Sequence, residues 1–133
     1  PGGHETMPRR SLFPNPDNKP EGFSPATRAG NLVFVSGQVS VDASGNLVGE
    51  GDCETQAEQT LDNVEAALKA AGVTMSDVTK ITAFLINGND YPAYASVRSK
   101  RFLKPGPASS TVFVKGLVNP KFLIEIEAIA VAS

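Results

Sequence analysis

Apolar residues recur along this chain at two different periods, and the change of period marks the elements. Leu32-Val33-Phe34-Val35 is a short run rich in β-branched and aromatic residues, opened by Gly30-Asn31, which is the composition of a buried strand. Ser36-Gly37-Gln38 follows at its end, and Val39 to Val41 are expected to continue as strand. Asp42-Ala43-Ser44-Gly45-Asn46 is a turn cluster that returns the chain through Leu47-Val48 as a hairpin. The period then lengthens. Ala57, Leu61, Val64, Leu68 and Ala71 recur at spacings of four and three, one apolar stripe on a helix. Thr55 and Glu58 read as a capping box at its start, and Gly72 as its C′ residue. Glu65 and Lys69 can pair on the outer side.

Lys80 to Ile86 reads as a strand, and Asn87-Gly88-Asn89-Asp90 breaks it. A second helix is expected from Asn89 or Asp90, with Pro92 in its first turn and Tyr91, Ala95 and Phe102 as a weaker stripe. Pro105-Gly106-Pro107 ends that helix. Thr111 to Leu117 and Phe122 to Val131 are the last strands, the latter with Ile124, Ile126, Ala128 and Ala130 on one face. Residues 8–30, rich in Pro, Asn, Asp and Gly, read as an irregular arm with one short strand near Ser11 to Phe13. This order predicts an α+β two-layer sandwich, two helices on one face of a mixed sheet, over a single domain at 11–133. Leu32–Val35 and Ile81–Ile86 are apolar on both sheet faces. Two helices cover one face, so the other is expected to be covered by further copies of the chain.

Composition narrows the function. The 133 residues are 41% hydrophobic and 20% charged, enough to bury a core but too short for a second domain. Twelve basic residues against fourteen acidic ones give a net charge of −2, so no nucleic-acid partner is expected. The basic cluster Arg98, Lys100, Arg101 and Lys104 reads as a solvated helix face. Cys53 is the single cysteine, which fits a reducing, cytoplasmic setting. No apolar run is long enough to span a bilayer. Met7 reads as the native start, with residues 1–6 an expression remnant and 1–10 a disordered tail. His4 falls in that tail, leaving the domain without histidine.

Few residues then offer chemistry. Glu125 and Glu127 alternate onto one face of the last strand, roughly 6.6–6.8 Å apart, among Leu123, Ile129 and Val131. Desolvation there would raise a carboxyl pKa and suit it for acid–base work; the alternative is a solvated or salt-bridged pair. Ser109-Ser110-Thr111 has no histidine to activate a nucleophile, so these hydroxyls read as hydrogen-bonding groups. Cys53 lies beside Asp52 and Glu54, which disfavour a thiolate. No metal-ligating cluster and no cofactor motif is present, so neither is expected.

Several blocks together resemble the RidA/YjgF reactive-intermediate deaminase family. They are Phe23-Ser24-Pro25-Ala26, Arg28 to Gln38, Gln59-Thr60-Leu61-Asp62-Asn63-Val64, Ala70-Ala71-Gly72, and Ile124-Glu125-Ile126-Glu127-Ala128-Ile129-Ala130-Val131. The resemblance runs in order from about residue 20 to 133. It implies a chorismate-mutase-like fold, a homotrimer with a central β-barrel, and inter-subunit clefts for small metabolites such as 2-imino acids, where water attacks the imine carbon. It implies Glu127 as the pocket glutamate that orients water, with Ser36 and Gly37 retained.

Other positions depart from the family pattern. Ser109 stands in Pro107-Ala108-Ser109-Ser110 where the family's carboxylate-clamping arginine is expected, and a hydroxyl cannot replace a charged, bidentate guanidinium. Phe23, Ala95 and Thr111 also depart, placing the chain in an arginine-lacking branch, apart from typical 2-imino acid deaminases. The expected function is an inter-subunit pocket that binds a small metabolite and hydrolyses an imine, an enamine or a similar electrophile. Glu127 handles water, and Ser109, Ser110, Phe23, Ser36, Gly37, Phe84, Phe113 and Val114 line the pocket. Lys115 and Arg28 are candidates for the missing cation. The alternatives are a non-catalytic ligand-binding or chaperone-like module and an endoribonuclease or translation inhibitor.

Overall fold

The computed structural model describes residues 8–133; the start of the chain, including His4 and Met7, lies outside the described residues. Six strands form one sheet in the order β1-β2-β3-β6-β4-β5: β1 (Arg10–Leu12), β2 (Ala26–Ala29), β3 (Leu32–Gln38), β4 (Val78–Leu85), β5 (Ala108–Phe113) and β6 (Ile124–Val131). All neighbours are antiparallel except β4 and β5, so the sheet is mixed. Two helices, α1 (Cys53–Ala70) and α2 (Tyr91–Arg101), make the second layer, and the fold is the expected α+β sandwich. Among the described residues no helix is long and apolar enough to cross a membrane.

The core lies between helices and sheet. Val33 and Val35 of β3 pair with Ala130 and Ala128 of β6, while Ile81, Ala83 and Leu85 of β4 pair with Ala128, Ile126 and Ile124. Side chains at paired positions share a face, so these buried residues form one apolar plane. The α1 stripe of Ala57, Leu61, Val64, Leu68 and Ala71 packs on it as its periodicity predicts.

The opposite face of the sheet is uncovered. It carries Leu32, Phe34, Ile129 and Val131 on β3 and β6, with Lys80, Thr82 and Phe84 on β4 and Ser110 and Val112 on β5. Leu32, Phe34, Val112 and Val131 are 42–45% exposed: three lie together on β3 and β6, and Val112 on edge strand β5 lies beyond the polar row Glu127, Thr82 and Ser110.

Several boundaries differ from the sequence expectations for identifiable reasons. β2 lies inside the segment read as an irregular arm: Ala26-Thr27-Arg28-Ala29 lacks an apolar alternation and is a strand through pairing with β3. β1 begins at Arg10, inside the stretch expected to be a tail. Val39 to Val41 do not extend β3. The Val39 and Val41 carbonyls accept from Asn63 Nδ2 at 2.8 and 2.9 Å, and the hairpin shrinks to a single bridge between Val41 and Leu47. The α1 cap is Asp52 rather than Thr55; its carboxylate accepts from the Thr55 N–H and Oγ1, which holds its pKa below the usual value. Glu65 meets Arg101 rather than Lys69. α2 buries Tyr94 and Val97; of the expected stripe, Phe102 just after the helix joins the core, whereas Tyr91 is exposed and Ala95 only partly buried. β5 starts three residues before Thr111 and ends at Phe113.

Gln56, fully buried on α1, joins the layers. Its Nε2 donates to the Gly49 and Lys121 carbonyls, both at 3.1 Å, and its Oε1 accepts from the Leu123 N–H at 2.9 Å. One amide thus satisfies three backbone groups from both ends of the domain. Gln56→Leu keeps the volume and removes every partner. It is expected to lower unfolding stability by about 3 kcal/mol in a urea titration, because each orphaned buried backbone group costs about 1–3 kcal/mol.

Candidate functional site

Register separates the sequence-derived candidates into two groups. β3 and β6 pair Val35 with Ala128 and Gln38 with Ile126, so Ser36 and Gly37 together oppose Glu127 alone. This is a β-bulge, which bends the strand and re-aims what sits beside it. Glu125 reaches into the bend: a β-carbon at Gly37 would overlap the Glu125 carboxylate, so the absence of a side chain at 37 is what admits it. Phe84 is the β4 partner of Glu125 and covers its flank.

The two glutamates are not equivalent. Glu125 is half-buried and Glu127 exposed. Burial pushes the Glu125 carboxyl above its usual 4.5, and the like charge of Glu127 adds to the rise. The group with the environment of an acid–base catalyst is therefore Glu125, two residues from the glutamate that the family resemblance singled out. Ser36 offers no free donor: its hydroxyl donates to the Ser24 carbonyl at 2.6 Å and its N–H to the Pro25 carbonyl at 2.9 Å. It holds the bulge to the strand leading in from Phe23, whose ring is 60% exposed near this end of the sheet.

The second group lies at the far edge. Parallel pairing sets Ser109 beside Ile81 and Thr111 beside Ala83, both buried, so Ser109 and Thr111 face the helix layer. Ser110 pairs with Thr82 and faces the other way, where Lys80 Nζ donates to its hydroxyl at 3.2 Å. The adjacent serines, expected to bind together, are thus on opposite faces. Phe113 is exposed near Gly88, and the Val114 N–H is consumed by the Leu85 carbonyl at 2.8 Å, leaving no donor there for a ligand.

Between α2 and β5 opens a cleft of about 1160 Å³ lined by Tyr91, Arg98, Phe102, Lys104, Ser109 and Thr111. Sequence reading placed Arg98 and Lys104 on a solvated face and missed this cleft. The available signal was Tyr91, Tyr94 and Arg98 at spacings of three and four, one side of a helix. Two other cations, Arg28 among them as a candidate for the missing charge, are engaged elsewhere. Arg28 donates to the Gly30 and Ala71 carbonyls, and Arg101 pairs with Glu58, Asp62 and Glu65.

The two groups do not meet in one chain. Ser109 on β5 and Gly37 on β3 are three strand spacings apart, about 14 Å, and Glu125 and Ser109 belong to opposite faces of the sheet. Cys53 joins neither. Its buried thiol is pushed up to about 12, first by burial and only then by Asp90 and Asp52. Of the two acids noted in the sequence, only Asp52 contributes, and as a lesser cause than burial and Asp90. Among the described residues no group of His, Cys, Asp and Glu is arranged to hold a metal ion.

The family described as Endoribonuclease L-PSP matches residues 17–132. The chain is 40% identical over 110 residues to a 2-iminobutanoate/2-iminopropanoate deaminase of Dermatophagoides farinae, covering 82% of this chain and 84% of that protein. It is 37% identical over 125 residues to the 3-aminoacrylate deaminase RutC of Acinetobacter baylyi, covering 93% and 98%. The crystal structure of RidA from the Antarctic bacterium Psychrobacter sp. superposes with a TM-score of 0.81 at 30% identity, over 92% of this chain and 99% of that one.

Glu125 is expected to titrate above the usual glutamate value in a carboxyl carbon NMR titration. Glu127→Gln should lower it only partway, because burial is the larger cause. The sign for stability follows. The folded carboxyl keeps its proton to higher pH than the unfolded one, so the stability it contributes is complete below pH 4.5 and is lost as pH rises through the raised pKa. Glu125→Gln should abolish that loss in urea midpoints taken across this range.

Proposed function

The chain belongs to the Endoribonuclease L-PSP family, the RidA/YjgF family of its sequence resemblance, and on that premise we propose that it is an imine or enamine hydrolase whose pocket forms between copies of the chain. The observation that carries this reading is Glu125: a half-buried carboxyl of raised pKa, seated against a glycine in a strand bulge and beside Phe84 on the open sheet face. A carboxyl whose pKa is raised by burial is better suited to take up and return a proton than one in open water. Here Glu125 takes a proton from water as the oxygen bonds to the imine carbon. That proton passes to nitrogen to give a carbinolamine, and the same carboxylate then moves the hydroxyl proton to nitrogen as the C=O bond forms and the C–N bond breaks, leaving an oxo product and ammonia. An enamine enters by first taking a proton on carbon. The deaminase names of two relatives, one acting on 2-imino acids and one on 3-aminoacrylate, support the substrate class.

The proposed pocket requires assembly, which we take to be a homotrimer, and packing supports it. The uncovered apolar face of β3, β6, β4 and β5 is the surface a second copy would bury. Glu125 on β6 and the Ser109–Thr111 group on β5 lie on opposite sheet faces of one chain with β4 between them, and need a neighbouring copy to meet. The buried single cysteine agrees with a reducing cytoplasm. An endoribonuclease reading draws on the family description. It is disfavoured by the net charge of −2 and by the three acids around Arg101. Tight, salt-sensitive RNA binding in a gel-shift titration would restore it.

Light scattering should give about three times the 13.9 kDa chain. When an amino-acid oxidase supplies 2-imino acids in the presence of semicarbazide, the protein should suppress semicarbazone formation. Glu125→Gln should slow hydrolysis by about 100-fold or more, with Glu127→Gln far less affected. No suppression by the wild-type protein with any amino acid would favour a non-catalytic binding module instead.

A further inference from the structure

We infer that Arg98 of α2 is the cation that binds the carboxylate of a small metabolite in the cleft beside Ser109. The inference takes its ligand class from the hydrolase reading, while the anion site itself stands on the geometry of the cleft. Position 109 faces the cleft but carries only a hydroxyl, so any charge on this wall comes from another element. Arg98 supplies it from across the groove. Its guanidinium lies 5.7 Å from the Tyr91 ring centre and 5.2 Å from that of Tyr94. Two aromatic rings hold the flat group by cation–π attraction and leave its N–H edges for a planar partner.

Those edges are underused. Among the described residues Arg98 makes one side-chain hydrogen bond, from Nη2 to the Tyr91 hydroxyl at 3.3 Å, and no carboxylate lies within ion-pairing distance. Arg101, one turn on, is by contrast paired with Glu58, Asp62 and Glu65. A half-buried guanidinium without a carboxylate is costly to keep unless something else fills its five donors.

A second observation points at the same spot. The Tyr94 side chain is fully buried, and its hydroxyl has no partner at good hydrogen-bond geometry among the described residues, although Ser109 and Arg98 lie close enough to perturb it. Buried hydroxyls are normally satisfied. An anionic oxygen seated between Arg98 and Ser109 would accept from Tyr94 as well, with Thr111 on the same wall and Lys104 at the rim. Two coplanar acceptor oxygens match the fork of a guanidinium, which is the geometry of a carboxylate.

The chain has no tryptophan and two tyrosines, Tyr91 lining the cleft and Tyr94 in contact with the Arg98 guanidinium, so its ultraviolet emission reports the cleft. The test titrates the assembled protein with lactate, a transparent 2-substituted carboxylate, and with its neutral amide, lactamide. Lactate should change the tyrosine emission saturably and lactamide should not. Arg98→Gln should raise the half-saturating lactate concentration by about tenfold or more, and Arg98→Lys should fall between. Far-ultraviolet circular dichroism and an unchanged elution volume establish that the variants fold. No saturable response to lactate, an equal response to lactamide, or an unaltered half-saturation in Arg98→Gln would overturn the assignment. Its failure is separable from that of the hydrolase reading. Arg98-dependent lactate binding without imine turnover removes the hydrolase alone. Turnover with unchanged KM in Arg98→Gln removes the Arg98 assignment alone.

Discussion

Parallel pairing of β4 with β5 is the constraint from which the cleft follows. Antiparallel strands can be joined by a tight turn, but parallel ones need a crossover long enough to carry the chain back along the sheet. α2 is that crossover. It lies on the covered face, packs beside α1, and is locked there by Arg101 spanning three acids of the neighbouring helix. Its C-terminal end must then descend through Pro105-Gly106-Pro107 into β5. The space between helix end and strand start is where Ser109, Thr111 and Arg98 face one another. Pairing direction in the sheet therefore determines which side chains share a groove.

The other face of the sheet is shaped by the bulge in β3. One extra residue opposite β6 opens room beside Gly37, and Glu125 occupies it. Two glutamates that alternate identically along a strand thereby acquire different environments, one desolvated and one open to water. A β-carbon at position 37 would remove that difference, so the glycine controls the electrostatics of a residue 88 positions away in the chain.

These two features lie about three strand spacings apart and on opposite faces of one thin sheet. A single chain holds a half-buried carboxyl of raised pKa and, separately, a cationic groove. The apolar patch between them is what a second copy would cover in the proposed trimer, and the same contact would bring one chain's glutamate to its neighbour's groove.

The sequence alone determined the apolar periods, and with them α1, β4, β6 and the α+β sandwich, because burial on one face is a property of spacing. It also determined the family, through blocks such as Arg28 to Gln38 and Ile124 to Val131, and the two-sided apolar character of the sheet. It did not carry β2, whose residues are strand only because β3 lies beside them, nor the end of β3, where Asn63 captures the carbonyls of Val39 and Val41. Spacing put Glu125 and Glu127 on one face and could not separate them; a register break in a different strand did. Adjacency made Ser109 and Ser110 look like one cluster, and the pleat sent them to opposite faces. Arg98 looked like one of several surface cations until α2 turned it toward Ser109. Local pattern reports how a residue relates to its own element, whereas pKa, donor availability and shared clefts depend on what a different element places against it, and only the tertiary structure decides that.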